Sequence, residues 1–140
     1  MNDDPAELAV EFNRRLREVV LLVRQATTGL PLTAQQLSVL GSLESGPRRM
    51  SDLAAEHGVR QPTMTVQVNR LEEAGLVSRG RDADDARVVT VALTDEGCRD
   101  LAHGRRARTA FLAERFAALT PDERAAIAAA LPAIGRLRAP

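Results

Sequence analysis

Residues 51–97, SDLAAEHGVRQPTMTVQVNRLEEAGLVSRGRDADDARVVTVALTDEG, constrain the fold more than any other stretch. They read as helix, tight turn, helix, strand, charged tip, strand. Ser51 is placed to cap a short helix that ends near His57, and Gly58 stands where the chain must turn. Pro62 suits the first position of the next helix, where its missing N–H costs little. Along that helix Met64, Val68 and Leu71 fall at i, i+4 and i+7 and form one apolar stripe. Gly75 closes it. Residues 76–79 and 88–93 then suit two strands, the second by its β-branched content. Two short helices joined by a tight turn and followed by a charged hairpin make a winged helix-turn-helix.

The face of the second helix opposite the apolar stripe points to function. Gln61, Pro62, Thr63, Thr65, Val66, Asn69 and Arg70 lie there or at its entry. Small polar side chains let a helix approach base edges in a DNA major groove. Gln and Asn pair with adenine, Arg pairs with guanine, and exposed Val or Thr methyls meet a thymine methyl. Arg60 precedes this helix. Arg79, Arg81 and Arg87 flank or occupy the wing, whose tip suits a narrow minor groove, with Asp85 to orient Arg87. Arg48 and Arg49, just before the first helix of the pair, suit either phosphate contact or simple solvation.

In this segment the run LEEAGLVSRGRDADDARVVTVALTDEG resembles the signature of MarR-family transcriptional regulators. The matching residues are Leu71, Glu72, Gly75, Leu76, Val77, Asp82, Asp85, Arg87, Leu93, Thr94 and Gly97. The resemblance implies a winged helix-turn-helix, dimerisation through the terminal helices and a near-palindromic double-stranded DNA operator. It also implies a small lipophilic or aromatic effector bound between dimer body and winged part. Phe12, Leu16, Leu40 and Leu101 are the candidate apolar lining, with Arg17 to meet a carboxylate. The chain departs from the family pattern at Val66 and Ala86, where arginines are frequent. Arg60 and Arg70 are the candidate substitutes.

Outside this region the chain reads as helices. Residues 5–30 repeat Leu8, Phe12, Leu16, Val19 and Val23 at helical spacing, and Val20, Leu21 and Leu22 widen the apolar surface. Gly29-Leu30-Pro31 breaks the pattern. Thr33 and Gln36 form a capping box for a helix whose core side is Leu37, Leu40 and Leu43. Thr94 caps a long helix to about residue 118. Its candidate buried positions are Cys98, Leu101, Ala102, Thr109, Leu112 and Phe116, and Gly104 is a potential flexible point. Thr120, Pro121 and Glu123 restart a last helix with Ile127, Leu131, Ile134 and Leu137, which Pro132 is expected to kink. Both terminal helices are too apolar to face solvent. Packing them on each other and on a second copy is the economical arrangement.

The resulting expectation is a mainly α fold with a two-stranded wing. One unit spans residues 1–140: dimerisation helices at 1–30 and 120–140, a winged part at 33–97 and a connecting helix at 94–118. Composition sets limits. The 140 residues carry 19 basic and 19 acidic side chains, and all the basic ones are Arg. Residues 46–97 hold seven Arg against nine Asp and Glu. That acidic balance keeps open a second class of function, a winged-helix protein-interaction module without DNA binding. Three Phe and no Trp or Tyr argue against stacking on single strands or RNA. The absence of an 18-residue apolar run and of a signal-peptide pattern points to a cytoplasmic protein that does not cross a membrane. The single Cys98 excludes an internal disulfide and is read as a buried or half-buried small side chain. His57 and His103 are the only histidines. No spacing of ligands, Gly-rich phosphate loop or nucleophile elbow points to a metal, a cofactor or an enzyme.

Overall fold

The computed structural model describes residues 4–138. Six helices and three strands follow in the order α1 (Pro5–Ala26), α2 (Ala34–Ser42), β1 (Arg48–Arg49), α3 (Met50–Glu56), α4 (Gln61–Glu73), β2 (Val77–Arg81), β3 (Val89–Leu93), α5 (Asp95–Ala117) and α6 (Pro121–Arg136). The strands form one antiparallel sheet in the order β1-β3-β2. The two-stranded wing expected from sequence forms as the β2–β3 hairpin, with a strand the sequence did not announce beside it. Arg48 and Arg49 pair with Val91 and Thr90 and add a third strand. A two-residue strand carries no alternation to read, which is why its polar sequence looked like loop.

Helix boundaries follow local chemistry. The Thr33–Gln36 and Thr120–Glu123 capping boxes both form, with side chain and backbone bonding reciprocally. Asp4 caps α1 by accepting from the Ala6 N–H at 3.0 Å. That helix ends at Ala26 rather than near residue 30, because Thr27 Oγ1 and Thr28 Oγ1 both donate to the Arg24 carbonyl and close the last turn. Ser51 does not cap α3. The helix starts one residue earlier at Met50, and Arg49 occupies the cap without a side-chain bond, since its extended backbone belongs to β1. Pro62 is the second residue of α4, after Gln61. Gly58 and Gly75 adopt φ of 64° and 78°, which end α3 and α4 in left-handed turns. The Val59 and Leu76 N–H groups then bond back to Ala54 and Leu71 at 3.0 and 2.9 Å. The last helix runs through Pro132 without interruption.

One core joins α2, α3, α4, the sheet and the start of α5. Leu40, Leu53, Met64, Val68 and Val91 are completely buried in it, and Leu37, Leu43, Leu71, Leu76 and Val77 nearly so. Each such side chain stabilises the fold by about 1.5–3 kcal/mol through its removal from water. Helix α5 enters the core through its glycines. A Cβ on Gly97 would lie 2.0 Å from the Leu76 carbonyl oxygen, and one on Gly104 would lie 2.5 Å from Leu37 Cδ2. Gly104 is thus a contact point between α5 and α2, not a flexible site. Leu101 is buried as expected, but Cys98, Thr109 and Phe116 are exposed and Leu112 is half-buried. Beyond Gly104 the helix has left the core, and its periodicity has no single face to serve.

The terminal helices stand largely uncovered. Only Ala26 is buried in α1 and no residue is buried in α6. Leu8, Val10, Leu16, Val19, Leu131 and Leu137 are among the large apolar side chains left exposed.

Candidate nucleic-acid interface

The stripe Met64, Val68 and Leu71 fixes the rotation of α4, because all three face the core. Its other face is thereby turned outward. Gln61, Pro62, Thr63, Val66, Asn69 and Arg70 are exposed there, and Val66 keeps 49% of its surface in solvent. Thr65 is half-buried, and its hydroxyl donates to the Gln61 carbonyl at 2.9 Å, which leaves chiefly its methyl for recognition. Between Arg60 and Leu71 there are two arginines and no carboxylate.

The wing is organised by two aspartates. The Asp82 carboxylate accepts from the Asp84 and Asp85 N–H groups at 3.2 Å and closes the tip as an Asx turn. It also takes a two-point bond from Arg49, Nε at 3.2 Å and a terminal nitrogen at 3.0 Å. The Arg49 guanidinium, with those backbone donors, holds Asp82 below the usual carboxylate range. Strand β1 thus fixes the base of the wing through a side chain as well as through the ladder. Asp85 receives Arg87 in the same bidentate manner, at 3.1 and 3.2 Å, and the Arg87 backbone N–H bonds the same carboxylate at 3.1 Å. This lowers the Asp85 carboxyl, first through the Arg87 side chain. The expected orienting pair is formed, and the Arg87 side chain remains 91% exposed at the tip.

Other candidate residues are engaged in ways the sequence did not reveal. Arg79 donates to the Asn69 side-chain oxygen and lies 3.5 Å from Glu72, linking β2 to α4. Asn69 therefore meets the outside with its amide group while its oxygen is held. Arg48 bonds Glu56 at 3.1 Å and the Ser42 carbonyl at 3.4 Å, and so ties β1 to α2 and α3. Both readings of the Arg48–Arg49 pair must make room for internal ion pairs. Arg60, Arg70 and Arg81 have no ion-pair partner among the described residues. The His57 Nε2 lies 2.9 Å from Ser42 Oγ and fastens the turn before α4 to α2. Contacts across 6, 10 and 33 positions carry no periodic signal, so sequence reading had no means to find them.

The five candidate effector residues do not meet in one cavity of the single chain. Leu40 is sealed in the core. Leu101 is 4% exposed and only its edge reaches a groove between α2 and α5. Phe12, Leu16 and Arg17 lie on the open side of α1. Among the described residues no group of three metal-ligating side chains gathers, and no helix is long and apolar enough to cross a membrane.

This combination, a helix-turn-helix with an open second helix beside a three-stranded sheet bearing an ordered wing, defines a winged-helix protein. The family follows from comparison. The model of the MarR family matches residues 28–88. A helix-turn-helix transcriptional regulator of Mycobacterium bovis is 33% identical over 125 residues, spanning 89% of this chain and 87% of its own. The Bacillus subtilis transcriptional repressor MdtR is 33% identical over 93 residues, 66% of this chain and 60% of that one. Among solved structures, a transcriptional regulator protein of Pseudomonas aeruginosa superposes with a TM-score of 0.77 at 29% identity, covering 99% of both chains. The repressor CouR bound to a 23-mer DNA duplex gives 0.73 at 27% identity, covering 97% of this chain and 100% of that one. The chain belongs to the MarR family of transcriptional regulators.

Proposed function

We propose that the chain acts as a homodimeric, sequence-specific double-stranded DNA-binding repressor. The observation that carries this is the joint presentation of the outer face of α4, which has no carboxylate between Arg60 and Leu71, and the Asp85-held Arg87 on one winged unit. In this reading α4 enters the major groove with Gln61, Thr65, Val66 and Asn69 towards the bases, and Arg87 enters the adjacent minor groove. Arg60, Arg70 and Arg81 neutralise phosphates. The exposed apolar sides of α1 and α6 are buried by a second copy, which sets two reading heads about one helical turn apart, roughly 34–36 Å. The DNA-bound state of CouR supports the arrangement by analogy of fold.

Release by a small lipophilic or aromatic ligand is part of this proposal. With Leu40 inside the core, the lining falls to Phe12, Leu16 and Arg17 at the junction with the second copy. Such a ligand acts only through its differential affinity for two head spacings. The decisive experiment is recovery and sequencing of genomic fragments retained by the purified protein, combined with light scattering. A shared near-palindromic motif and a dimer mass are the expected results. A monodisperse monomer overturns the dimeric reading, and the lack of any enriched motif overturns sequence-specific binding. The alternative of a protein-interaction module, favoured by seven Arg against nine acids in residues 46–97, predicts no binding even to random duplex at low salt.

A further inference from the structure

Hydrogen bonds rather than packing hold the tip of the wing. No residue from 82 to 88 is buried, and β2 is exposed beyond Val77. A hollow of about 410 Å³ lies between the wing base and the start of α3, lined by Pro47, Asp52, Arg81 and Ala83 together with Arg49 and Asp82. The wing therefore has open space to swing into. Among the described residues, the Arg49–Asp82 pair is the side-chain bond that joins the tip to the rest of the chain.

That pair is the first link of a relay that ends on Arg87. The Arg49 backbone is set by its register opposite Thr90 in β3. Its guanidinium grips Asp82 at two points, which fixes direction as well as distance. Asp82 Oδ2 also accepts from the Asp84 and Asp85 N–H groups and so orders the turn that carries Asp85. Asp85 then grips Arg87 at two points. An ion pair as open to solvent as Arg49–Asp82 contributes little to stability, so its main effect is on where the wing points. The edge of Arg49 formed by Nε and a terminal nitrogen is already taken, and a phosphate would have to compete for it with a carboxylate of the same chain.

We propose that Arg49 is a positioning residue of the wing rather than a phosphate ligand: through Asp82 and Asp85 it sets the angle at which Arg87 enters the minor groove. This rests on the DNA-binding reading above. Without the Arg49 guanidinium the hairpin keeps its ladder but loses its fixed direction, and Arg87 must be ordered anew at each encounter with DNA.

The test is a double-mutant cycle on the full-length protein. Arg49→Met, which keeps a stem of similar length, is combined with Arg87→Ala. Binding is read by fluorescence anisotropy on a duplex carrying the motif enriched from genomic DNA, and on a random-sequence duplex at low salt. Arg49→Met should weaken binding to the selected duplex by about threefold or more, and should add no loss in the Arg87→Ala background, because the group it aims is gone. Arg49→Lys should restore part of the loss, since an ammonium lacks the two-point fork. A binding-site selection with Arg49→Met should lose A·T preference under the wing and keep the preferences under α4. If Arg49→Met melts below the assay temperature, Asp82→Asn, which keeps an oxygen to close the tip, replaces it with the same expected lack of additivity. Losses that multiply, with the salt slope lowered by about 1 in both backgrounds, would make Arg49 a phosphate ligand and overturn the proposal. So would wild-type binding by Arg49→Met, equal binding by Arg87→Ala and wild type, or a selection that blurs under α4 as much as under the wing. Each of those failures leaves DNA binding standing. A wild-type protein that binds neither duplex overturns the DNA-binding reading, and this inference with it.

Discussion

Replacing Gly97 by alanine tests how the long helix is seated on the winged part. Gly97 is the third residue of α5, and its N–H bonds Thr94 Oγ1 at 3.1 Å. The Thr94 hydroxyl in turn donates to the Gly75 carbonyl at 2.6 Å, and the Thr94 N–H to the Leu76 carbonyl at 3.1 Å. One threonine therefore fastens the end of α4, the approach to β2 and the start of α5. An added Cβ would stand 2.0 Å from the Leu76 oxygen and 3.0 Å from its carbon. An ordinary C···O contact is about 3.3–3.6 Å, so the helix must retreat by more than about 1 Å against backbone that cannot rotate away. Overpacking of this kind costs about 1–3 kcal/mol, and the strained Thr94 bonds add about 0.5–1.5 kcal/mol. The expected loss is about 2–4 kcal/mol, or roughly 6–12 °C in Tm for a chain of this length. Two other glycines calibrate it. Gly104→Ala meets the buried Leu37 side chain at 2.5 Å and should cost less, since a side chain can repack. Gly41→Ala meets only the Arg105 guanidinium at 3.3 Å, and the helix gain of up to about 1 kcal/mol should make it neutral or stabilising. Thermal melting followed by far-ultraviolet circular dichroism gives the ranking. A Gly97→Ala Tm within 2 °C of wild type, taking about 1 kcal/mol as a shift of several degrees, would refute this seating of α5.

Further outcomes follow from the site. Arg87→Ala should weaken operator binding and reduce the salt slope by about 1 while leaving Tm unchanged, because the side chain touches only Asp85; Arg87→Lys should restore it in part, and equal binding by all three in a fluorescence anisotropy titration would reject the wing contact. Asn69→Ala should relax preference at one base pair in a binding-site selection, by less than the about 1–3 kcal/mol of a bidentate pair because Arg79 holds its oxygen, whereas Arg70→Ala should weaken all sequences together. An unchanged selectivity profile for Asn69→Ala would remove it from the reading face. Acid should act through Glu56, whose carboxyl is lowered first by Arg138 and then by the Ser42 hydroxyl and Arg48. A depressed carboxyl contributes stability above its unfolded value of about 4.3 and loses it as pH falls through the folded value. Urea midpoints of wild type should therefore fall more steeply than those of Glu56→Gln below that pH, and parallel curves would contradict the coupling.

What could be read from the sequence was what periodicity and capping encode. Met64, Val68 and Leu71 recur on one helical face, and that recurrence fixes both the buried side and the outward side of α4. Thr33, Thr94 and Thr120 announce helix starts because a hydroxyl three residues before a free N–H is a local event. The β-branched run at 88–93 announces a strand, and the spacing of Leu71 to Gly97 carries the family. What stayed hidden depends on contacts distant in sequence. β1 exists because Arg48 and Arg49 find Val91 and Thr90, not because two arginines favour a strand. Gly104 looked like a weak point because its partner, Leu37, lies 67 positions earlier. The effector residues were chosen by element rather than by depth, and burial separated Leu40 from Phe12.

The acidic balance of residues 46–97 weighs less as an objection once six of its nine carboxylates are placed. Four of the nine carboxylates answer arginines of the fold: Glu56 meets Arg48 and Arg138, Glu72 meets Arg79, Asp82 meets Arg49 and Asp85 meets Arg87. Asp95 and Glu96 occupy the first turn of α5, where the helix macrodipole favours negative charge. These acids shape the scaffold, and they do so at β1, the wing base and helix ends. The stretch from Arg60 to Leu71 carries none, and Arg60, Arg70 and Arg81 are left without ion-pair partners among the described residues. Phosphate neutralisation depends on the field at the approaching face, not on the segment's sum. Asp85 shows the same logic at the tip: it cancels Arg87 in the count yet aims the guanidinium outward. A segment with a negative sum can therefore present a positive face, because most of its carboxylates are engaged in holding the scaffold in shape.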